Sequence, residues 1–153
     1  MKHVDIWTDG ASKGNPGPGG YGIVIKYTDK NGKENRLELK EAFKETTNNR
    51  MEVLSAIVAL EHLKEPCEVT LTSDSKYLVS AFNEDWISTW IKKDFRRGKS
   101  DEVKNIDLWE RLIELTKKHK VEFVWVKGHA DNVENERCDT LANLAINEFL
   151  ENQ

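Results

Sequence analysis

Apolar and polar residues alternate along the first third of the chain, with the period of two that is typical of strands with one buried face. The alternation runs over residues 4–9, resumes over residues 21–27 and returns over residues 34–43. Residues 14–20 are too rich in glycine and proline for regular structure, and residues 29–32 carry a turn signal. The pattern predicts three strands in an antiparallel meander, the first of which stops at Asp9-Gly10.

From residue 49 the apolar positions surround most of a helix, which predicts a helix that is buried on more than one side. Pro66 ends this helical pattern. The periodicity beyond it predicts strands at residues 68–73 and 121–126, a loop at 127–133, and helices at 75–82, 85–91, 106–119 and 135–150. This mixture of strands and helices predicts an α/β fold, in which helices cover the faces of a mixed sheet.

The 153 residues are the size of one domain, and we expect residues 1–153 to form a single one. The longest apolar run, residues 56–60, is far shorter than the ~20 residues of a membrane helix. Asp5 lies where a secretory signal would be apolar, so we expect a cytoplasmic protein without a membrane span. Cys67 and Cys138 lack metal-ligand spacing and are expected to be ordinary buried thiols.

The chain has 23 basic and 27 acidic residues, a formal net charge of −4. Bulk attraction to nucleic acid needs an excess of positive charge, so any such binding must rest on a local patch. Residues 86–104, here called the basic segment, form one candidate patch in which Trp86, Trp90 and Phe95 alternate with basic side chains. Composition alone leaves open whether the segment binds nucleic acid or is a solvated helix face over core aromatics. Its central basic residues are Lys92, Lys93, Arg96, Arg97 and Lys99.

A glycine motif near the N-terminus imitates a cofactor site. Residues 17–22 read GPGGYG and match GxGxxG, the dinucleotide-binding fingerprint. That fingerprint needs a helix directly after the glycines to hold the pyrophosphate, whereas the pattern here predicts a strand. We therefore expect no nucleotide cofactor.

Four acidic residues lie near the ends of predicted elements. Asp9 and Asp74 end two predicted strands, Glu52 lies in the first turn of the long helix, and Asp139 lies in the early turns of the last helix. Ligands of open sheets with parallel strands bind beyond the carboxyl ends of those strands. Carboxylates that converge there repel one another unless cations neutralise them, and all-oxygen ligands favour Mg²⁺ or Mn²⁺.

Each of these acids also has a simpler local interpretation. Glu52 follows Asn49 by three positions and could close a capping box. Asp9-Gly10 could be a turn pair, Asp74 could cap a helix, and Asp139 could complement a helix dipole. Spacing alone leaves both interpretations open.

Five motifs, in order, decide the matter by resemblance: TDGAS with GNPG at residues 8–17, TNNRME at 47–52, TSDS at 72–75, VKGH at 126–129 and NERCD at 135–139. Together they resemble the type 1 ribonuclease H family, particularly its bacterial form, from end to end. The resemblance implies a ribonuclease H-like fold, with a five-stranded mixed sheet of order 3-2-1-4-5 and helices on both faces. It also implies endonucleolytic cleavage of the RNA strand of RNA–DNA hybrids, leaving 5′-phosphate and 3′-hydroxyl ends.

The same resemblance assigns roles to individual residues. It implies that Asp9, Glu52, Asp74 and Asp139 bind two Mg²⁺ ions, with Mn²⁺ as a substitute, and that His129 assists proton transfer or product release. The basic segment would engage the hybrid backbone, and the partner would be an RNA–DNA hybrid bound by a monomer. The implied RNA contacts are Asn15, Asn48, Asn49 and Lys76; the implied DNA contacts are Thr47, Tyr77, Trp86, Trp90 and Asn105.

Two rival interpretations remain at this point. Related metal nucleases and strand transferases act on DNA, because the fold alone does not fix the substrate. A silent hybrid-binding module is the other, and retention of all four acids argues against it.

Asp94, Asp101 and Glu102 dilute the positive charge of the basic segment, so we expect weaker and more salt-sensitive hybrid binding than in more basic relatives.

Overall fold

One mixed sheet runs through the computed structural model, which describes residues 1–96, 103–128 and 132–153. β1 pairs antiparallel with β2 and parallel with β4, β2 pairs antiparallel with β3, and β4 pairs parallel with β5. The spatial order β3-β2-β1-β4-β5 confirms the sheet that the resemblance implies. The strands are β1 (Lys2–Ser12), β2 (Gly17–Thr28), β3 (Glu34–Thr46), β4 (Cys67–Ser73) and β5 (Lys120–Trp125).

Five helices are present in the described part of the chain, and each lies where the periodicity predicts one. None of the helices described there combines the length and the apolar composition that crossing a membrane requires. The helices are α1 (Asn48–Glu61), α2 (Lys76–Asn83), α3 (Trp86–Lys92), α4 (Ile106–Lys118) and α5 (Val133–Glu151).

Helices cover both faces of the sheet because successive side chains of a strand point to opposite sides. Ile23 and Ile25 of β2 belong to the large core that includes α1 and α4, whereas Val24 packs with Cys138 and Leu141 of α5. Helix α1 is buried around most of its circumference, as predicted. Both cysteines are buried free thiols.

The expected end of β1 at Asp9-Gly10 and the expected irregular segment at residues 14–20 are wrong in part. β1 continues to Ser12 and β2 already begins at Gly17, so Asp9-Gly10 is not a turn. The glycines serve packing: a Cβ on Gly22 would overlap the carbonyl oxygen of Cys138 in α5. Because the strand β2 contains residues 17–22, the helix that a dinucleotide fingerprint requires does not follow them.

Candidate active site

Two acidic residues lie where β1 and β4 leave their parallel pairing. That pairing ends with Thr8 opposite Ser73, so Asp9 and Asp74 are the next residues on the two chains. Asp9 is buried, and its Oδ1 accepts a hydrogen bond from the backbone N–H of Gly10 at 2.9 Å. Asp74 is half-buried. The sheet thus places both carboxylates at one edge.

Helix α1 brings a third carboxylate to this edge. A Cβ on Gly10 would lie only 2.6 Å from the backbone nitrogen of Glu52, so the glycine lets α1 approach β1 closely. One ligand oxygen from each of Asp9, Glu52 and Asp74 lies within 4.8 Å of the other two. Asp139 of α5 lines the same cleft. One acidic cleft therefore collects carboxylates from β1, α1, the end of β4 and α5, which are distant from one another in sequence.

The charges of this cluster disfavour one another. Burial raises the pKa of Asp9 to about 8, with further contributions from the charges of Asp74 and Asp139. Burial also raises the pKa of Glu52 well above its ordinary value, helped by Asp9 and Asp74. Oε1 of Glu52 is buried and has no hydrogen-bond partner among the residues that the structure describes. A divalent cation would coordinate this oxygen and offset the repulsion, so these oxygen ligands fit a metal site.

Local roles do not account for the carboxylates of Glu52 and Asp74. The N-cap of α1 is Thr47, whose Oγ1 accepts from the backbone at 3.2 Å, so Glu52 does not form a capping box with Asn49. The N-cap of α2 is Ser75, whose Oγ accepts from the backbone at 3.1 Å, so Asp74 is not a cap. The capping roles are therefore excluded for both residues, and their position in the acidic cleft is the feature that needs a functional explanation.

Asparagines tie the β1–β2 connection to the start of α1. Oδ1 of Asn15 accepts from the backbone N–H of Asn48 at 2.9 Å, and Nδ2 of Asn48 donates to a backbone oxygen of β1 at 3.2 Å. Asn48, Asn49 and the exposed Lys76 line the acidic cleft. Four residues that the resemblance assigns to RNA therefore lie in or beside the cleft, and two of them also hold its rim together.

A row of aromatic rings runs from α2 through α4 to α3. The ring centroids of Tyr77 and Trp109 are 5.3 Å apart, those of Trp109 and Trp90 are 5.1 Å apart, and those of Trp90 and Trp86 are 6.2 Å apart. Trp86 is the exposed end of the row. Trp109 is fully buried, and the sequence pattern gives it no role beyond a core position of α4. It nevertheless links the three candidate DNA contacts Tyr77, Trp86 and Trp90 into one row of packed rings.

Asn105, directly before α4, is held by two neighbours. Its backbone is left-handed with φ 63°, its Nδ2 donates to the hydroxyl of Tyr77 at 3.0 Å, and its Oδ1 accepts from Arg50 at 3.1 Å. The guanidinium of Arg50 also binds both carboxylate oxygens of Asp107 and lowers the pKa of Asp107. No local sequence pattern indicates a role for Arg50, because its contacts with Asn105 and Asp107 span more than fifty residues.

The basic segment is only partly described. Helix α3 has no buried residue, and Lys92, Lys93 and Arg96 are exposed. Asp94 lies among them and is also exposed. The described part of the segment thus presents its charges to solvent. Arg97, Lys99, Asp101, Glu102 and His129 lie outside the described residues.

Known ribonucleases are similar to this chain in sequence. The RNase H family model matches residues 1–147. The ribonuclease H of Lachnoclostridium phytofermentans is 56% identical over 143 residues, which are 93% of this chain and 90% of that protein. The ribonuclease H of Shewanella amazonensis is 55% identical over 145 residues, 95% of this chain and 89% of that protein.

Solved structures of RNase H proteins have a similar fold. LC9-RNase H1, a type 1 RNase H with the type 2 active-site motif, has a TM-score of 0.86 at 30% identity, over 97% of this chain and 74% of that chain. LC11-RNase H1, solved in complex with an RNA/DNA hybrid, has a TM-score of 0.71 at 28% identity, over 96% of this chain and 99% of that chain. The chain therefore belongs to the type 1 RNase H family, the ribonucleases that cleave the RNA strand of RNA–DNA hybrids.

Proposed function

We propose that the chain cuts the RNA strand of RNA–DNA hybrids endonucleolytically and uses divalent metal ions held by Asp9, Glu52, Asp74 and Asp139. The family supplies the reaction class. One observation carries the site: a buried Glu52 oxygen, with no hydrogen-bond partner in the described part of the chain, lies in a group of three carboxylates within 4.8 Å. Such a group is expensive to bury unless a cation accompanies it.

Mg²⁺ is the proposed ion, two per site with Mn²⁺ as a substitute, because hard cations prefer oxygen ligands. When bound, the ions would activate water and stabilise charge on the leaving 3′ oxygen, so the products carry 5′-phosphate and 3′-hydroxyl ends. The buried Asp9 and Glu52 are the fixed ligands. Asp74 and Asp139 keep part of their surface exposed and complete the set towards solvent.

The RNA strand is assigned to the rim of the acidic cleft. Asn15, Asn48 and Asn49 offer amide donors and acceptors there, and Lys76 offers a positive charge for a phosphate. The RNA 2′-hydroxyl is the group that distinguishes RNA from DNA at such a site. Glu52, beside Asn48 and Asn49, is assigned an acceptor role towards that hydroxyl.

The DNA strand is assigned to the aromatic row. Tyr77, Trp86 and Trp90 would form apolar walls against deoxyribose, while Thr47 and Asn105 would hold a DNA phosphate. His129 is assigned to proton transfer or product release, for which a group that titrates near neutrality is suited. The residues assigned to the hybrid backbone are Lys92, Lys93, Arg96, Arg97 and Lys99.

We further infer a cytoplasmic monomer whose residues 1–153 form one catalytic domain. The support for the monomer is that, among the described residues, a single copy supplies β1, α1, α2 and α5 around the cleft. Sedimentation with and without a hybrid measures the stoichiometry that this inference requires.

The test is cleavage of an end-labelled RNA–DNA hybrid, with single-stranded RNA, duplex RNA and duplex DNA as controls, in Mg²⁺ or in EDTA. We expect Mg²⁺-dependent cutting of the hybrid alone, lost in Asp9→Asn. The matched control is Asp5→Asn, the same substitution near the start of the same strand, which should cut normally. Metal-independent binding without cutting would identify a silent hybrid-binding module, and cutting of duplex DNA would identify a DNA nuclease.

A further inference from the structure

Trp125, the last residue of β5, lies beside the acidic cleft and is not among the proposed metal, RNA or DNA contacts. It pairs with Ser73 at the end of β4, yet 42% of its surface is exposed. Its indole N–H donates to the backbone oxygen of Asp74 at 3.1 Å. The Nζ of Lys76 lies 4.9 Å from the centre of its ring. One exposed side chain therefore contacts both a candidate metal ligand and a candidate RNA contact.

We propose that Trp125 is a positioning residue, which fixes Asp74 for metal binding and holds Lys76 at the mouth of the cleft. The proposal rests on the proposed function, because it assigns Asp74 and Lys76 the roles given there.

Asp74 lies in the short connection between β4 and α2. β4 ends at Ser73, and the chain turns into α2 within two residues, so no strand pairing fixes Asp74 itself. The end of β5 does so instead: Val126 donates its N–H to the oxygen of Ser73 at 3.0 Å, and Trp125 binds the next oxygen along. Two successive carbonyl groups are thereby anchored to β5. The half-buried Asp74 needs this anchor more than its two buried partners do.

The chain beyond Trp125 approaches the carboxylate itself. A Cβ on Gly128 would lie 2.9 Å from Oδ2 of Asp74, so only a glycine leaves this oxygen unobstructed. The segment from Trp125 to Gly128 therefore borders Asp74 on both its backbone and its side chain. Groups that orient a metal ligand in this way affect metal affinity as well as rate.

Lys76 carries the positive charge that faces the ring of Trp125. It is the only basic residue among those that line the acidic cleft in the described part of the chain. A lysine side chain is long and freely rotating, and an aromatic face restricts it by attracting the ammonium group. Trp125 thereby keeps one positive charge near the carboxylates, where a backbone phosphate of the substrate would need it. The same indole thus links metal binding to substrate binding.

Two variants separate the two contacts. Trp125→Phe keeps a ring under Lys76 and removes the donor to Asp74, whereas Trp125→Leu removes both. We expect Trp125→Phe to weaken Mn²⁺ binding, measured by calorimetry without hybrid, about tenfold and to lower kcat similarly while KM for the hybrid stays unchanged. Trp125→Leu should in addition raise KM and reduce the slope of log Kd against log salt by about one unit. Lys76→Met should then have no further effect on KM in the Trp125→Leu background.

The matched control is Trp7→Phe. Trp7 is an indole on β1, two strands away from Trp125, with Lys26 5.8 Å from its ring, but it packs against the cluster of Val24 and Cys138 outside the cleft. Thermal melts of all variants check that the fold is intact. Mn²⁺ affinity unchanged in Trp125→Phe overturns the anchoring of Asp74, and an unchanged salt slope in Trp125→Leu overturns the holding of Lys76. Failure of the unaltered protein to cut a hybrid would instead contradict the proposed function, and calorimetry would still test the anchor.

Discussion

Burial of Asp9 and Glu52 opposes folding while no cation is bound. Both carboxylates have raised pKa values because burial and neighbouring negative charge disfavour the ionised form. An acid with a higher pKa in the folded chain than in the unfolded chain costs stability as pH rises between the two values. For Asp9 this window runs from its ordinary value of 3.8 to about 8. Above it the penalty is fully present unless a cation neutralises the cluster.

Asp9→Asn should therefore stabilise the metal-free protein even though it abolishes cleavage. In EDTA at about pH 9 we expect its free energy of unfolding to exceed that of the unaltered protein by about 1–3 kcal/mol, the order of the penalty for a buried polar or charged group without a partner. Urea denaturation measures the difference. Mg²⁺ should shrink it, because only the unaltered site gains from the ion. A less stable Asp9→Asn in EDTA would contradict the interpretation.

The sequence identifies the acidic residues but not the side chains that hold their neighbours. Asp9 and Asp74 are visible because the pattern predicts that they end strands, and the family resemblance joins Glu52 and Asp139 to them. Arg50 and Trp125 are not visible in this way, since each acts through a partner on another element, Asn105 for the first and Asp74 for the second. Their roles depend on tertiary contacts, which no local pattern encodes.

At the scale of elements, periodicity predicts each strand and helix but misplaces the ends near the glycines. A glycine-rich stretch reads as irregular because glycine usually marks turns. In β1 and β2 the glycines instead mark close approach: Gly10 to α1 and Gly22 to α5. These two contacts set how near Glu52 and Asp139 come to Asp9. The close approach that Gly10 and Gly22 permit therefore builds the cleft.

The exposed Lys92 at the end of α3 and its C-cap Lys93 predict how the affinity for a hybrid depends on salt. Each phosphate contact releases condensed counterions, so its loss flattens the plot of log Kd against log salt by about 0.9 unit. Joint replacement of Lys92 and Lys93 by Gln should lower the slope by up to about two units. Binding is measured in the Asp9→Asn background, which leaves the hybrid uncut. The matched control is joint replacement of Lys30 and Lys33, which lie in and beside the β2–β3 turn at the other end of the sheet. Equal slopes in both double variants would exclude α3 from the interface.

At the scale of the whole molecule, ion pairs with β2 and β3 hold the helix that carries the fourth carboxylate, Asp139. Glu134 at the start of α5 binds Arg36 of β3 at 2.7 Å and Lys26 of β2 at 3.2 Å. Glu38 of β3 binds Arg36 and, through two hydrogen bonds of 2.9 Å each, Arg137 of α5. These two arginines lower the pKa of Glu38 to about 2. The network fixes the start of the helix that carries the last acidic residue of the cleft.

A buried histidine joins the end of α4 to the start of β4. His119 follows α4 and is 2% exposed, and its Nδ1 accepts from the backbone N–H of Cys67 at the start of β4 at 3.1 Å. That acceptor must be unprotonated. Burial lowers the pKa of His119, and the charge of Lys118 lowers it further. The unfolded chain therefore binds a proton near pH 6.5, where the folded chain does not. Stability should fall as pH drops below about 6.5 towards the lower folded pKa.

His119→Asn should flatten this part of the pH profile. Asparagine can place an oxygen where Nδ1 accepts, and it has no proton to gain at these pH values. We expect the free energy of unfolding of the unaltered protein to fall more steeply between about pH 7 and pH 5 than that of the variant, since one fewer group titrates there. The control is His62→Asn, a change at the exposed C-cap of α1 that should leave the slope unchanged. Parallel profiles for the unaltered protein and His119→Asn would mean that His119 titrates alike in folded and unfolded chains, and that its burial does not tie stability to pH.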